Sequence, residues 1–225
     1  MQLSFSFPTN IDIYDVRNFI VYEGNRDIFD FVTSSLFLNN NIYLLTGVKG
    51  SGKTYICNIW HKFKNATFIN QDIFKLSKNS YISKLHTTIE NNHKYILENL
   101  ESLKIKEEYL LYLINIITEK NSILLITSTK YLNEFDFKLP DLNSRFNNIF
   151  NFSIKELNEE SREKILVKAL SDRQMNIDAN TIEYISKRLT GNCHEIINLV
   201  DNLEKLIQTK SLKKITVYNI KNILK

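Results

Sequence analysis

The eight residues Gly47-Val48-Lys49-Gly50-Ser51-Gly52-Lys53-Thr54 constrain the fold of this chain more than any other stretch, because they fit the phosphate-binding pattern G-x-x-x-x-G-K-[ST] at every position. The flanks agree. Ile42–Thr46 is an apolar run that reads as a strand buried on both faces, and Lys53–Lys64 reads as a helix. A strand, a glycine loop and a helix in that order build an anion site largely from backbone. The glycines let successive N–H groups turn toward one centre. The helix directs the positive end of its dipole at the same point. Lys53 then neutralises the β- and γ-phosphates, and the Thr54 hydroxyl ligates Mg²⁺. Gly47, Gly50, Ser51, Gly52, Lys53 and Thr54 are therefore the expected phosphate cradle.

The texture around the motif is that of β-α units on a parallel sheet. Further strands are expected at residues 66–69, 95–97, 122–126 and 149–152, with helices at 81–92 and Glu107–Glu119. In the second helix Leu110, Leu113, Ile114 and Ile117 recur with the helical period. From Asn158-Glu159-Glu160-Ser161 onward the pattern is helical only, with segments at 178–188, 193–208 and 216–224. Gly191 punctuates one boundary and Thr216 suits the N-cap of the last helix. The expectation is an α/β P-loop fold with a five-stranded parallel sheet and a small C-terminal helical lid. Its parts are residues 1–10 as a separate peptide, 11–155 as the nucleotide-binding domain and 156–225 as the lid.

Composition removes several alternatives. No apolar run approaches the roughly 18 residues of a spanning helix, and Met1-Gln2-Leu3-Ser4 lacks the basic and apolar regions of a secretory signal. Cys57 and Cys193 are the two cysteines of the chain, too few for a disulfide framework. A cytoplasmic protein is expected. With 29 Lys and Arg against 25 Asp and Glu, the net charge of +4 is too small to imply nucleic-acid binding by itself.

Hydrolysis at a P-loop requires an acid at a neighbouring strand end for Mg²⁺, and a second to activate water. Tyr95-Ile96-Leu97-Glu98-Asn99 is the candidate. Glu98 stands where the magnesium acid belongs. Asn99 follows it, and an amide orients a water without serving as a base. Glu101 lies nearby but would have to reach back. Intrinsic turnover should be slow. Thr129, at the tip of Leu125-Ile126-Thr127-Ser128-Thr129, is placed to touch the γ-phosphate or the lytic water.

The segment Leu139-Pro140-Asp141-Leu142-Asn143-Ser144-Arg145-Phe146 resembles the initiator family of AAA+ ATPases typified by DnaA. In that family a leucine-rich turn ending Ser-Arg-Phe presents an arginine to the nucleotide of a neighbouring subunit. Residues 185–195, ending Gly191-Asn192-Cys193-His194-Glu195, resemble the family's lid sensor; residues 215–220 resemble its final lid helix, and 19–25 the segment that wraps adenine. The likeness covers roughly residues 17–225. It implies ADP or ATP with Mg²⁺ as cofactor and Arg145 as a trans-acting finger on the loop before the last strand. His194 stands where the family carries a sensor arginine, a departure that puts nucleotide-dependent lid closure in question.

Neither the DNA-reading helix-turn-helix domain nor the N-terminal oligomerisation domain of the full initiator is recognisable in the chain. Instead Gln2-Leu3-Ser4-Phe5-Ser6-Phe7 is similar to short peptides that dock on the replicative sliding clamp. An extended peptide of this kind places a glutamine amide in a polar notch and alternate apolar side chains in pockets. Gln2, Leu3, Phe5 and Phe7 would make those contacts. The combination is most similar to the Hda group, the regulatory inactivators of DnaA. It implies the initiator and the sliding clamp as partners, a homodimer as a compatible assembly, and weak or absent direct DNA binding. The alternative is a DnaA-like or helicase-loader-like ATPase that acts on DNA or helicase directly.

Overall fold

A computed structural model describes residues 14–34, 40–189, 192–210 and 220. Strands β1 (Ile42–Thr46), β2 (Thr67–Phe68), β3 (Lys94–Leu97), β4 (Ile123–Ser128) and β5 (Phe150–Ser153) form one sheet, ordered β2-β3-β4-β1-β5. Every pairing is parallel, as the β-α alternation requires. Leu44 lies opposite Ile126 and Thr46 opposite Ser128, so the tips of β1 and β4 end level. The acid-bearing strand β3 pairs with β4, not with the P-loop strand, so one strand separates Glu98 from Gly47.

Side chains alternate across β1 and divide the core in two. Tyr43 and Leu45 join Ile56, Ile59 and Trp60 of α2 (Lys53–Lys64) on one face. Leu44 joins Leu113 and Ile117 of α4 (Glu107–Glu119) on the other, together with Tyr81 and Leu85 of α3 (Lys78–Thr88). Removing each such leucine or isoleucine from water contributes about 1.5–3 kcal/mol. α3 ends at Thr88, earlier than the sequence pattern suggests. The Tyr95 hydroxyl takes over there, donating to the Thr88 carbonyl at 3.0 Å and accepting from the Glu90 N–H at 2.8 Å.

Two helices form where none was expected. α1 (Arg26–Thr33) precedes β1 and buries Ile28 and Val32. α5 (Pro140–Asn147) replaces the leucine-rich turn and loop expected before β5. Pro140 sits in its first turn, where a missing N–H costs nothing, and Leu142 and Phe146, four apart, face the core.

The lid comprises α6 (Glu159–Asp172), α7 (Ala179–Ser186) and α8 (Cys193–Lys210). The Asn158 side chain caps α6 by accepting from the Ser161 N–H at 2.8 Å, and Asp178 caps α7 by accepting from Thr181 at 3.0 Å. Arg173 ties the end of α6 to Asp201 and Glu204 of α8, at 2.5 and 3.3 Å. Leu166, Leu199 and Val200 of the lid belong to the same apolar cluster as Tyr43 and Ile56, so the core continues across residue 155. The expected last helix at 216–224 lies outside the described residues, apart from buried Ile220. Among the described residues, no helix is long and apolar enough to cross a membrane.

Candidate functional site

The loop between β1 and α2 is shaped by its glycines. Gly50 and Gly52 have φ of +80° and +101°, values that side-chain-bearing residues resist. A Cβ on Gly50 would also stand 2.6 Å from Asn192 Oδ1 and 2.7 Å from His194 Cβ, so both backbone angle and space demand glycine. Gly52 caps α2 without a side-chain acceptor, and no acid occupies the first turn. The first N–H groups of α2 are left for an anion. Lys53 is buried, and its ammonium donates to the carbonyls of Gly47 at 2.6 Å and Val48 at 3.1 Å. Burial lowers its pKa, and the nearby charge of Glu101 opposes that shift. Ser51 is buried with its hydroxyl unpartnered, whereas Thr54 is exposed at the start of α2.

The tips of β3 and β4 supply the acids. Glu98 follows β3 with Oε1 buried and unpartnered. It faces α2: burial, and secondly the Glu98 charge, hold the Cys57 thiol well above its ordinary pKa. A carboxylate oxygen without a donor, a free serine hydroxyl and an exposed threonine hydroxyl are hard oxygen ligands. That donor set fits Mg²⁺ beside a phosphate chain. Asn99 is exposed and left-handed, φ 53° and ψ 55°, and its N–H donates to the Thr127 hydroxyl at 2.9 Å. Glu101 reaches back after all. Its Oε1 accepts from both the N–H and the hydroxyl of Thr129, at 3.0 and 2.7 Å.

The lid closes over the loop from above. Asn192 donates from Nδ2 to the Lys49 carbonyl at 2.6 Å. Its Oδ1 accepts from the N–H groups of His194 and Glu195, at 3.0 and 3.2 Å, which starts α8 against the P-loop. His194 is exposed, with its Cβ beside Gly50. A largely apolar cavity of about 150 Å³ opens between loop and lid, lined by Phe19, Asn25, Gly52, Tyr55, Ala169 and Ile197. Asn25 shapes one wall by accepting from Tyr22 N–H and donating to the Ile20 carbonyl. Such a slot suits a flat heteroaromatic base.

Arg145 lies in the last turn of α5, 40% exposed along its side chain, and pairs with Asp141 at 3.3 Å. Its helix packs against α4, on the face of the sheet opposite α2. Gln2, Leu3, Phe5 and Phe7 lie outside the described residues. Two residues that the sequence undersold are Glu101 and Asn192. Asn99 carried the signal for the first, because asparagine tolerates the left-handed turn that reverses the chain. The second was legible as a polar N-cap just ahead of an amphipathic run. Among the described residues there is no cluster of three or more His, Cys, Asp and Glu side chains that could hold a metal ion.

No protein-family profile matches the chain. It is 27% identical over 195 residues to an uncharacterized protein of Haemophilus influenzae, covering 83% of each. It is 26% identical over 196 residues to the chromosomal replication initiator protein DnaA of Buchnera aphidicola, covering 80% of this chain and 42% of that protein. The chain thus spans less than half the length of that initiator. Domain III of the Thermotoga maritima replication initiation protein DnaA superposes with a TM-score of 0.73 at 16% identity, covering 97% of both chains. Replication initiator DnaA bound to AMPPCP and single-stranded DNA gives 0.69 at 22% identity, covering 89% of this chain and 66% of that one. The chain is thus similar to DnaA in part of its sequence, and it has the α/β AAA+ fold of DnaA domain III.

Proposed function

We propose that this chain binds ADP or ATP with Mg²⁺, turns ATP over slowly, and regulates replication initiation as an Hda-like protein. In this reading it docks on the sliding clamp through Gln2, Leu3, Phe5 and Phe7 and promotes hydrolysis of the ATP held by DnaA. The cradle of Gly50, Gly52, Lys53 and Thr54 takes the phosphates, Glu98 with Thr54 takes Mg²⁺, and the apolar cavity takes the base. Binding of AMPPCP by a DnaA of the same fold supports the choice of adenine.

The observation that carries the trans-acting part is Arg145. Its ion pair with Asp141 is within one helix and exposed, so the guanidinium is available to a second protein. Fixed positive charge brought to a partner's γ-phosphate accelerates hydrolysis by roughly 10³–10⁵ in arginine-finger systems. The test is to mix the full chain with DNA-loaded clamp and DnaA carrying labelled ATP, then follow hydrolysis. Conversion of DnaA-ATP to DnaA-ADP that depends on all three components supports the reading. No stimulation, together with direct remodelling of DNA or helicase by this chain, favours the loader-like alternative.

A further inference from the structure

We propose that Glu101 is the carboxylate that holds the attacking water in this site, with Thr129 as its anchor, in the place where sequence order puts the neutral Asn99. The inference rests on the reading of the site as one that binds and slowly hydrolyses ATP. It begins with the path of the chain. The left-handed Asn99 turns β3 into a single 3-10 turn, Leu100–Ser102. That turn is pinned at both ends: the Asn99 N–H donates to the Thr127 hydroxyl at 2.9 Å, and the Ser102 hydroxyl donates to the Asn99 carbonyl at 2.8 Å. Leu100 is buried and prevents the turn from rolling. Glu101, at its centre, is thereby returned to the tip of β4.

Two donors from one residue then fix the carboxylate. Thr129 gives Oε1 both its N–H and its hydroxyl. The other oxygen, Oε2, is buried and has no hydrogen-bond partner. A buried, ionised oxygen with an unused lone pair calls for a donor, and the O–H of a water bound with the nucleotide supplies one. Burial alone would raise the Glu101 carboxyl, but hydrogen bonding, first of all from Thr129, outweighs it and holds it below the ordinary value. Thr46 lies opposite Ser128, so Thr129, which holds Glu101, follows β4 at the level where Gly47 follows β1 and opens the phosphate loop. The two acids thus divide the work, Glu98 facing the metal and Glu101 the water.

In that role Oε2 accepts one proton of the water as the water oxygen bonds to the γ-phosphorus. The bond from phosphorus to the β,γ-bridging oxygen breaks, its electron pair leaves with ADP, and the proton passes on to the released phosphate. Because Thr129 holds the carboxyl low, Glu101 is a weak base, in keeping with slow turnover.

The experiment uses the full chain with Mg²⁺ and labelled ATP, measuring nucleotide affinity, melting temperature and single-turnover hydrolysis. Glu101→Gln keeps shape and hydrogen-bonding capacity, and should bind ATP within about threefold of wild type while hydrolysing it at least about tenfold more slowly. Thr129→Val should lower the rate too, Thr129→Ser should recover most of it, and the double variant Glu101→Gln/Thr129→Val should be little worse than Glu101→Gln. Hydrolysis by Glu101→Gln at the wild-type rate overturns the proposal, as does wild-type turnover no faster than the buffer blank. A wild-type chain that binds no nucleotide removes the parent reading as well, whereas normal binding with a rate indifferent to Glu101 removes this inference alone.

Discussion

Asn192 and Lys49 join the lid to the phosphate loop: the Asn192 amide donates to the Lys49 carbonyl at 2.6 Å. The same side chain caps α8, because its oxygen accepts from the main chain of His194 and Glu195. One residue therefore couples the start of the lid helix to the loop proposed to hold phosphate. Asn192→Asp keeps the cap, since a carboxylate accepts equally well, but loses the donor and sets two oxygens against each other. A lost hydrogen bond of about 0.5–1.5 kcal/mol predicts nucleotide release roughly 3–10-fold faster with little change in melting temperature. Asn192→Ala loses latch and cap together and should also melt lower. Stopped-flow release of a fluorescent ADP analogue checks both, and an unchanged release rate in Asn192→Asp would show the contact to be incidental.

Lys53→Ala should weaken nucleotide binding by roughly 100-fold or more, because a charged donor to two phosphates is lost. The fold should survive. The buried ammonium pays a desolvation cost, as its lowered pKa records, and this offsets much of its bonds to Gly47 and Val48. A melting curve within a few degrees of wild type, alongside lost binding in a filter assay, is the expected pair of results.

The strand before the loop and the helix after it were legible because Ile42–Thr46 is a nearly uninterrupted apolar run and the loop pattern is fixed at four of its eight positions. By contrast, β2 shrinks to Thr67–Phe68 and β5 alternates polar and apolar residues. α2 and α4 begin and end where the periodicity does. α5 was not legible, since a proline and a short eight-residue span hide a helix held by two contacts, Leu142 and Phe146. Strand order was not legible either. Nothing local tells β3 that β4 will insert between it and β1; that is decided by crossover handedness and by how α2 and α4 cover opposite faces. The reach of Glu101 depends on one backbone angle at Asn99, which sequence spacing cannot express.

Cys193 lines the cavity assigned to the base, and burial raises its thiol to about 11. At neutral pH it should react slowly with a thiol reagent, and bound ADP should slow it further. Reactivity should climb as the pH passes 9 toward 11. The sign for stability is the opposite: the unfolded thiol ionises first, so stability falls across the same window. Cys57 is fully buried and should stay unlabelled until the chain unfolds. Mass spectrometry of the alkylated peptides, with and without ADP, separates the two sites. Equal labelling of Cys193 in both conditions would argue against the cavity as the base pocket.

Replacing Gln2, Leu3 and Phe7 together by alanine should abolish retention on immobilised sliding clamp and leave nucleotide affinity as it was. Each apolar anchor contributes roughly 1.5–3 kcal/mol before ordering costs, so a micromolar peptide-like affinity is the expectation for the wild type. Undiminished retention of the triple variant would remove the assignment of this segment.

Arg145→Ala should still fold and still bind its own nucleotide, yet fail to stimulate hydrolysis by DnaA. The structural half of this follows from geometry. An exposed pair four residues apart on one helix contributes about 0.3–0.5 kcal/mol, and a change of that size moves the melting temperature by no more than about 2 °C in a chain of this length. The functional half follows from electrostatics. A finger stabilises charge that develops on the partner's phosphate, so its loss should appear in the rate and not in assembly on the clamp. Arg145→Lys should fail as well, because an ammonium is a point charge and lacks the planar fork that spans two oxygens. Full stimulation by either variant would exclude Arg145 as the finger. An alanine variant that melts several degrees lower and releases its own nucleotide would instead make Arg145 a brace for α5.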